Sequence, residues 1–160
     1  MDAIALLKAD HARFRDLLER LKQTEAGDAK RVTVFNDLKA RLIAHETIEE
    51  EILYPSMQEF AQAAEIVAHS YEEHHVVDLL LDELTTLSFT DPAWGAKAHV
   101  LEENLVHHLK DEESDLFPKV KRLLDADALT DLGVLMDERR DEVMASAAVK
   151  ADAKAVKPKG

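Results

Sequence analysis

Two stretches of the chain place an imidazole and a carboxylate four residues apart: His45 with Glu49, and His108 with Glu112. Each is followed by an apolar pair or near-pair and then by a proline, Pro55 or Pro118, ten residues after the histidine. On an α-helix, residues i and i+4 stack on one face, so each stretch offers a nitrogen and an oxygen donor side by side. The stretches lie 63 residues apart, and the same shift carries His11 onto His74. The candidate donors are therefore His11, His45, Glu49, His74, His108 and Glu112. Imidazole and carboxylate with no sulfur suit iron, and to a lesser degree manganese or zinc.

The register extends to apolar residues. Phe14 matches Val77, Leu17 matches Leu80, Leu38 matches Leu101 and Leu42 matches Leu105. The chain is an internal duplication, and the repeat governs every other reading.

Those donors need helices to position them, and the period is helical throughout. Asp2 caps a first helix whose stripe runs Ile4, Leu7, His11, Phe14, Leu18 and Leu21, closing at Gly27. A second is expected over about 28–60, with Val34, Leu38, Leu42, His45, Glu49 and Ile52 inward. A third covers about 62–88, with Val67, His74, Val77 and Leu81. Thr90, Asp91 and Pro92 open a fourth, reaching about Leu124. A shorter fifth, 126–147, carries Leu129, Leu132, Met136 and Val143 and should pack on the bundle. Residues 148–160 read as a disordered Lys/Ala tail. Pro55 and Pro118 fall inside helical patterns and predict a kink or local unwinding. The fold class is all-α: an antiparallel up-down four-helix bundle over 1–125, internally duplicated, with a C-terminal fifth helix.

In such a bundle the four imidazoles and two carboxylates face one interior. Two carboxylates in an apolar core repel each other and lose hydration, and a pair of divalent or trivalent cations resolves both costs.

Composition bounds the rest. The absence of cysteine excludes disulfides, thiolate metal sites and cysteine nucleophiles. A formal charge of −13 disfavours nucleic acid and anionic membrane partners but not small neutral molecules. No apolar run approaches the roughly 20 residues of a membrane span, and no signal peptide is visible, so a cytoplasmic location is expected.

The ordered set His11, His45, Glu49, His74, His108 and Glu112, with its trailing prolines, resembles the hemerythrin family and its HHE-type cation-binding branch. The resemblance covers about residues 2–124. It implies two iron ions bridged by Glu49, Glu112 and an oxo or hydroxo group. Oxygen-carrying relatives place a fifth histidine where this chain has Ser70, so about two of roughly twelve octahedral positions stay open. Open positions favour chemistry on a peroxide or diatomic ligand, with electrons from an unidentified donor. The expected function is redox processing of hydrogen peroxide or nitric oxide. The alternative is reversible O2 binding or O2/iron sensing without turnover.

Further candidates surround the six. Tyr71 lies three residues before His74 and could supply a phenolate. Tyr54 falls about 180° from His45 on an ideal wheel and reaches the ions only if the helix is distorted at Pro55. Asp111 and Asp115 could orient ligand imidazoles. Glu113 is a rival to Glu112, disfavoured by the repeat register. Glu46, Glu50 and Glu51 read as a solvated acidic stripe, and His69, His75, His99 and His107 as surface residues.

Overall fold

The computed structural model describes residues 1–156, with side chains through Ala151. All regular structure among them is helical: α1 (Ala3–Lys22), α2 (Ala29–Ile48), α3 (Tyr54–Met57), α4 (Ala61–Thr86), α5 (Pro92–Asp111), α6 (Phe117–Leu123) and α7 (Ala126–Val156). A five-residue π-helical turn joins α2 to α3 (Glu49–Leu53), and another joins α5 to α6 (Glu112–Leu116). The four long rods of the bundle are thus α1, α2 with α3, α4, and α5 with α6.

Local chemistry sets the ends. Asp2, Asp28 and Asp91 each sit in extended backbone and accept from a backbone N–H of the first turn, at 2.8, 2.9 and 2.8 Å. Pro92 occupies the first helical position, where no N–H is needed. Gly27, with φ of +82°, reverses the chain before α2 in a conformation that disfavours any side chain.

The π turns are where the two prolines act. Pro55 cannot donate to the carbonyl four residues back, and its ring would crowd it. The ladder widens instead: Tyr54 N–H bonds to Glu49 O, five residues back. The second repeat does the same, Phe117 N–H bonding to Glu112 O ahead of Pro118. Each turn inserts one extra residue and rotates the downstream helix by about 100°. The chain neither breaks nor simply bends at these prolines; it takes up one residue in a wider turn.

Two apolar clusters divide the interior. One gathers Ile4, Leu7, Ile48, Leu53, Met57, Val67, Leu116 and Phe117. The other gathers Phe14, Leu18, Leu38, Leu42, Val77, Leu81, Trp94 and Leu105. Along each rod the candidate donors sit near the changeover from one cluster to the other, as His11 does between Leu7 and Phe14. Trp94 anchors the second cluster, its Nε1 donating to Leu84 O at 3.0 Å while its ring meets Phe35 and Phe89.

The last helix lies against α1 and α2. Leu129 and Met136 are buried in the first cluster, so α7 contributes to the core. It continues to Val156, whereas the sequence pattern suggests an end at 147 and a tail over 148–160. The α-helical backbone from 148 to 156 extends a run rich in Ala and Lys, both strong helix formers. Residues 157–160 of that expected tail lie outside the described residues.

Gly133 marks the closest approach of α7 to the N-terminus. A Cβ there would collide with the Met1 carbonyl oxygen and sit 2.8 Å from Ala3 N. Gly133→Ala should therefore destabilise the chain by about 1–3 kcal/mol through overpacking, although the same change in a free helix stabilises it. Thermal melts of the two proteins check the sign. Among the described residues no helix is long and apolar enough to cross a membrane.

Candidate metal centre

The six residues singled out by spacing converge between the apolar clusters, and all are buried. They form two four-donor groups, His11, His45, Glu49, Glu112 and Glu49, His74, His108, Glu112. Both glutamates belong to both groups, so each carboxylate can bridge two positions. His11 Nε2 lies 3.2 Å from Glu112 Oε2, and His45 Nε2 lies 3.4 Å from Glu49 Oε1. In the other half, His74 Nε2 is 3.2 Å from Glu49 Oε2, and His108 Nε2 is 3.6 Å from Glu112 Oε2.

Four buried polar atoms here lack a hydrogen-bond partner: His11 Nε2, His45 Nε2, Glu49 Oε1 and Glu112 Oε2. Unsatisfied buried atoms cost about 1–3 kcal/mol each, and four aimed at one point are what a cation would satisfy. The orphaned atoms fit a cation in the His11/His45 group, and the donor chemistry of the His74/His108 group is equally that of a cation site.

Each imidazole has its outer nitrogen beside a carboxylate. Glu113 Oε1 lies 2.8 Å from His11 Nδ1, and Glu50 Oε1 lies 2.8 Å from His74 Nδ1. Asp10 Oδ2 stands 3.2 Å from His45 Nδ1, and Glu73 Oε1 stands 3.1 Å from His108 Nδ1. These contacts hold a ring proton on Nδ1, so that in the neutral ring the Nε2 lone pair faces inward. Arg15 clamps Glu113 through both oxygens at 2.9 and 3.0 Å, and Arg140 of α7 holds Asp10 at 2.9 Å. Asp10→Asn and Glu73→Gln should each weaken metal affinity by about 10–100-fold without unfolding the chain, as measured by competition with a chelator of known affinity.

Sequence reading missed these four. The register contains them, since Asp10 and Glu73 are 63 apart, as are Glu50 and Glu113. Glu50 therefore does not belong to a solvated stripe, and Glu113 orients His11 rather than competing with Glu112. Glu46 is also buried, beside Asp78 and His74, and burial raises its carboxyl well above the ordinary range. Of the expected stripe, Glu51 alone pairs outward, with Arg139. Asp111 and Asp115 orient no ligand imidazole: Asp111 pairs with His107, and Asp115 with Lys119. Asp115 lies within the second π turn, whereas Asp111 precedes it at the end of α5, beside His107 rather than His108.

The π turn also moves Tyr54. Its hydroxyl lies 3.0 Å from Glu112 Oε1, 3.2 Å from Glu49 Oε2 and 3.2 Å from His74 Nε2. The distortion that an ideal wheel demanded is present, and it delivers the phenol to the shared edge of the two groups. Phe117 holds the equivalent place in the second repeat and stacks on His11 at 5.3 Å, so the halves are chemically unequal. Tyr71 stays outside: its hydroxyl donates to the Glu50 carbonyl at 3.4 Å, and its ring braces Tyr54 edge-on.

Electrostatics reflect the crowding. Burial, and then the Glu112 charge, raise the Glu49 carboxyl well above the carboxylate range. Burial also acts on Glu112, but the neighbouring His108, His11 and His45 outweigh it and hold that carboxyl low. One carboxyl thus carries the proton while the other carries the charge. Burial and both glutamates raise the Tyr54 phenol, keeping it protonated. Burial lowers His45 to about 4. Burial opposes charging of His74 and His108 too, yet Glu50 and Glu46 around the first, and Glu112 and Glu73 around the second, raise them.

These shifts set the pH dependence of the metal-free chain. Glu49 and Glu46 keep protons that the unfolded chain loses above 4.5, so their stabilisation fades as pH rises towards their folded values. His74 and His108, raised above 6.5, contribute fully below 6.5 and lose that contribution above it. His45 acts in the opposite sense between about 4 and 6.5, one group against two. Melts of chelator-treated protein should therefore show Tm falling from about pH 5 to about pH 8.

A helical bundle with two adjoining His/Glu groups inside it defines a class, the cation-binding helical bundles. Comparison with known proteins specifies the class further. The hemerythrin HHE cation-binding domain profile matches residues 2–120, and the chain belongs to that family. A solved structure of an HHE cation-binding domain-containing protein from Mycobacterium kansasii superposes with a TM-score of 0.87. It shares 24% identity, over 96% of this chain and 94% of that one, which establishes the common fold. A DNA nickase from Nostoc sp. is 25% identical over 123 residues, covering 76% of this chain. The chain spans about a third of that relative's length, 34%.

Proposed function

We propose that the protein is a non-heme di-iron oxidoreductase that consumes a small oxidant, hydrogen peroxide or nitric oxide. The observation that carries this reading is the placement of the Tyr54 hydroxyl where the two donor groups meet, in a centre whose carboxylates belong to both. His11 and His45 would hold one ion and His74 and His108 the other, with Glu49 and Glu112 between them. Iron bound there supplies redox equivalents and coordination positions for a small ligand.

The chain's own residues do the rest. Glu113, Asp10, Glu50 and Glu73 fix the imidazole orientation. The two apolar clusters above and below exclude bulk water and large substrates. Tyr54, kept protonated by burial and by both glutamates, holds a proton on its hydroxyl oxygen within reach of the reacting position. Ser70, small and buried one turn before His74, stands where a fifth imidazole would narrow the site. Electron supply belongs to a separate donor for nitric oxide, whereas peroxide disproportionation needs none. No nucleic acid or membrane partner enters this reading, and a cytoplasmic location suits it.

The test is turnover by iron-loaded protein. Peroxide consumption with O2 release, or nitric oxide loss with a chemical reductant present, supports the proposal. A stable oxygenated spectrum that reverses under vacuum, with neither oxidant consumed, replaces it by reversible O2 binding.

A further inference from the structure

A second group of ligand-type residues lies on the outside of the bundle. His69 and Glu73 are one turn apart on α4, and His107 and Asp111 are one turn apart on α5. The helices bring the two pairs together, and one donor atom from each residue lies within 4.8 Å of all the others. Glu73 Oε1 is 3.7 Å from His69 Nε2, Glu73 Oε2 is 3.9 Å from His107 Nε2, and Asp111 Oδ2 is 3.2 Å from His107 Nε2. A tetrahedral site with bonds of about 2.1 Å spaces its donors roughly 3.4 Å apart, inside the span of these separations. The two histidine side chains are 56% and 64% exposed, so an ion from solvent meets no barrier.

Glu73 joins this group to the interior. The same Oε1 that faces His69 lies 3.1 Å from His108 Nδ1. The corresponding carboxylate of the first repeat, Asp10, is tied to Arg140 instead. Among the described residues no lysine or arginine pairs with Glu73, and two exposed imidazoles occupy the place that a guanidinium takes beside Asp10. Two imidazoles and two carboxylates are a donor set for a divalent transition metal, and the acidic surface raises the local cation concentration.

We propose that His69, Glu73, His107 and Asp111 form an exposed site for a divalent transition-metal ion, and that this site loads the His74/His108 half of the buried centre through their shared carboxylate, Glu73. The loading role rests on the buried centre binding metal; the surface site does not.

The test uses the full chain and two readouts. In the first, Zn2+ is added while imidazole resonances are followed by NMR. His69 and His107 should shift together and saturate, lose the response in Asp111→Asn, and keep it in His99→Ala, which removes an exposed histidine elsewhere. In the second, Fe2+ uptake into the buried centre is timed. The double variant His69→Ala/His107→Ala should load about tenfold more slowly and reach the same final iron content. Absence of a saturable response at His69 and His107 overturns the site. A response with unchanged loading rate overturns the loading role. If His69 and His107 respond while no variant or wild-type protein takes up iron internally, the buried-centre reading fails and the surface site stands.

Discussion

Replacing Glu49 by glutamine is expected to stabilise the metal-free chain and abolish binding of the metal pair. Glu49 is fully buried, shares its space with Glu112, and holds its proton against the solvent's tendency to remove it. The amide keeps the shape and removes that burden, so Tm of the metal-free protein at neutral pH should rise by roughly 2–10 °C, equivalent to about 1–3 kcal/mol. The cost falls on function, because Glu49 is common to both donor groups and its amide is a poor bridging ligand. Iron content should drop from two per chain towards none. Calorimetry with and without metal measures both effects at once. An unchanged or lower Tm without metal would show that the carboxylate is not a source of stored instability. Opposite movement of stability and metal binding is the mark of a site kept strained for its ligand.

Tyr54→Phe carries the second large effect. The substituted ring fits, since Phe117 occupies the equivalent position in the other repeat. What disappears is one hydroxyl, 3.0 Å from Glu112 and 3.2 Å from Glu49 and His74. Positioned proton donors contribute typically 10²–10⁴-fold, so turnover of peroxide should fall by at least about 10²-fold while iron content stays at the wild-type value. The pH profile separates proton donation from packing: the loss should be concentrated at high pH, where solvent protons are scarce. Equal activity of Tyr54→Phe and wild type would remove the phenol from the chemistry. Loss of iron along with activity would assign it a structural or ligating role.

How far the sequence could be read depended on whether the helix stayed ideal. His45 with Glu49, and His108 with Glu112, obey the i,i+4 rule and precede the distortion, so their convergence was legible. The apolar stripes through Leu38, Leu42, Val77 and Leu81 led to the bundle for the same reason. Beyond Glu49 and Glu112 the wheel fails, because one inserted residue turns everything downstream by about 100°. That is why Tyr54 reads as outward and lies inside, and why Asp115 reads as inward and does not touch a ligand ring; Asp111, upstream of the turn, is instead taken up by His107 one turn earlier on α5. Asp10 and Glu50 escaped for a different reason. Each orients an imidazole on a neighbouring helix, a contact that no single-helix periodicity expresses. The duplication did express it, since both recur at the same offset in Glu73 and Glu113.

The hydrogen-bond pattern also explains why the halves differ. Arg15 and Arg140 fix the outer carboxylates of His11 and His45 with permanent charge. Around His108 the same role falls to exposed histidines, and beside His74 stands a phenol in place of a phenyl ring. On the proposed di-iron reading, His11 and His45 would form the clamped position and His74 and His108 the adaptable one.

The most direct measurement is iron per chain in protein expressed with ample iron, alongside His45→Ala and Glu112→Ala. Two irons are expected in the wild type, with loss of both when Glu112, common to both groups, is removed. A single ion per chain, a preference for zinc over iron, or two irons undiminished in Glu112→Ala would contradict a di-iron centre.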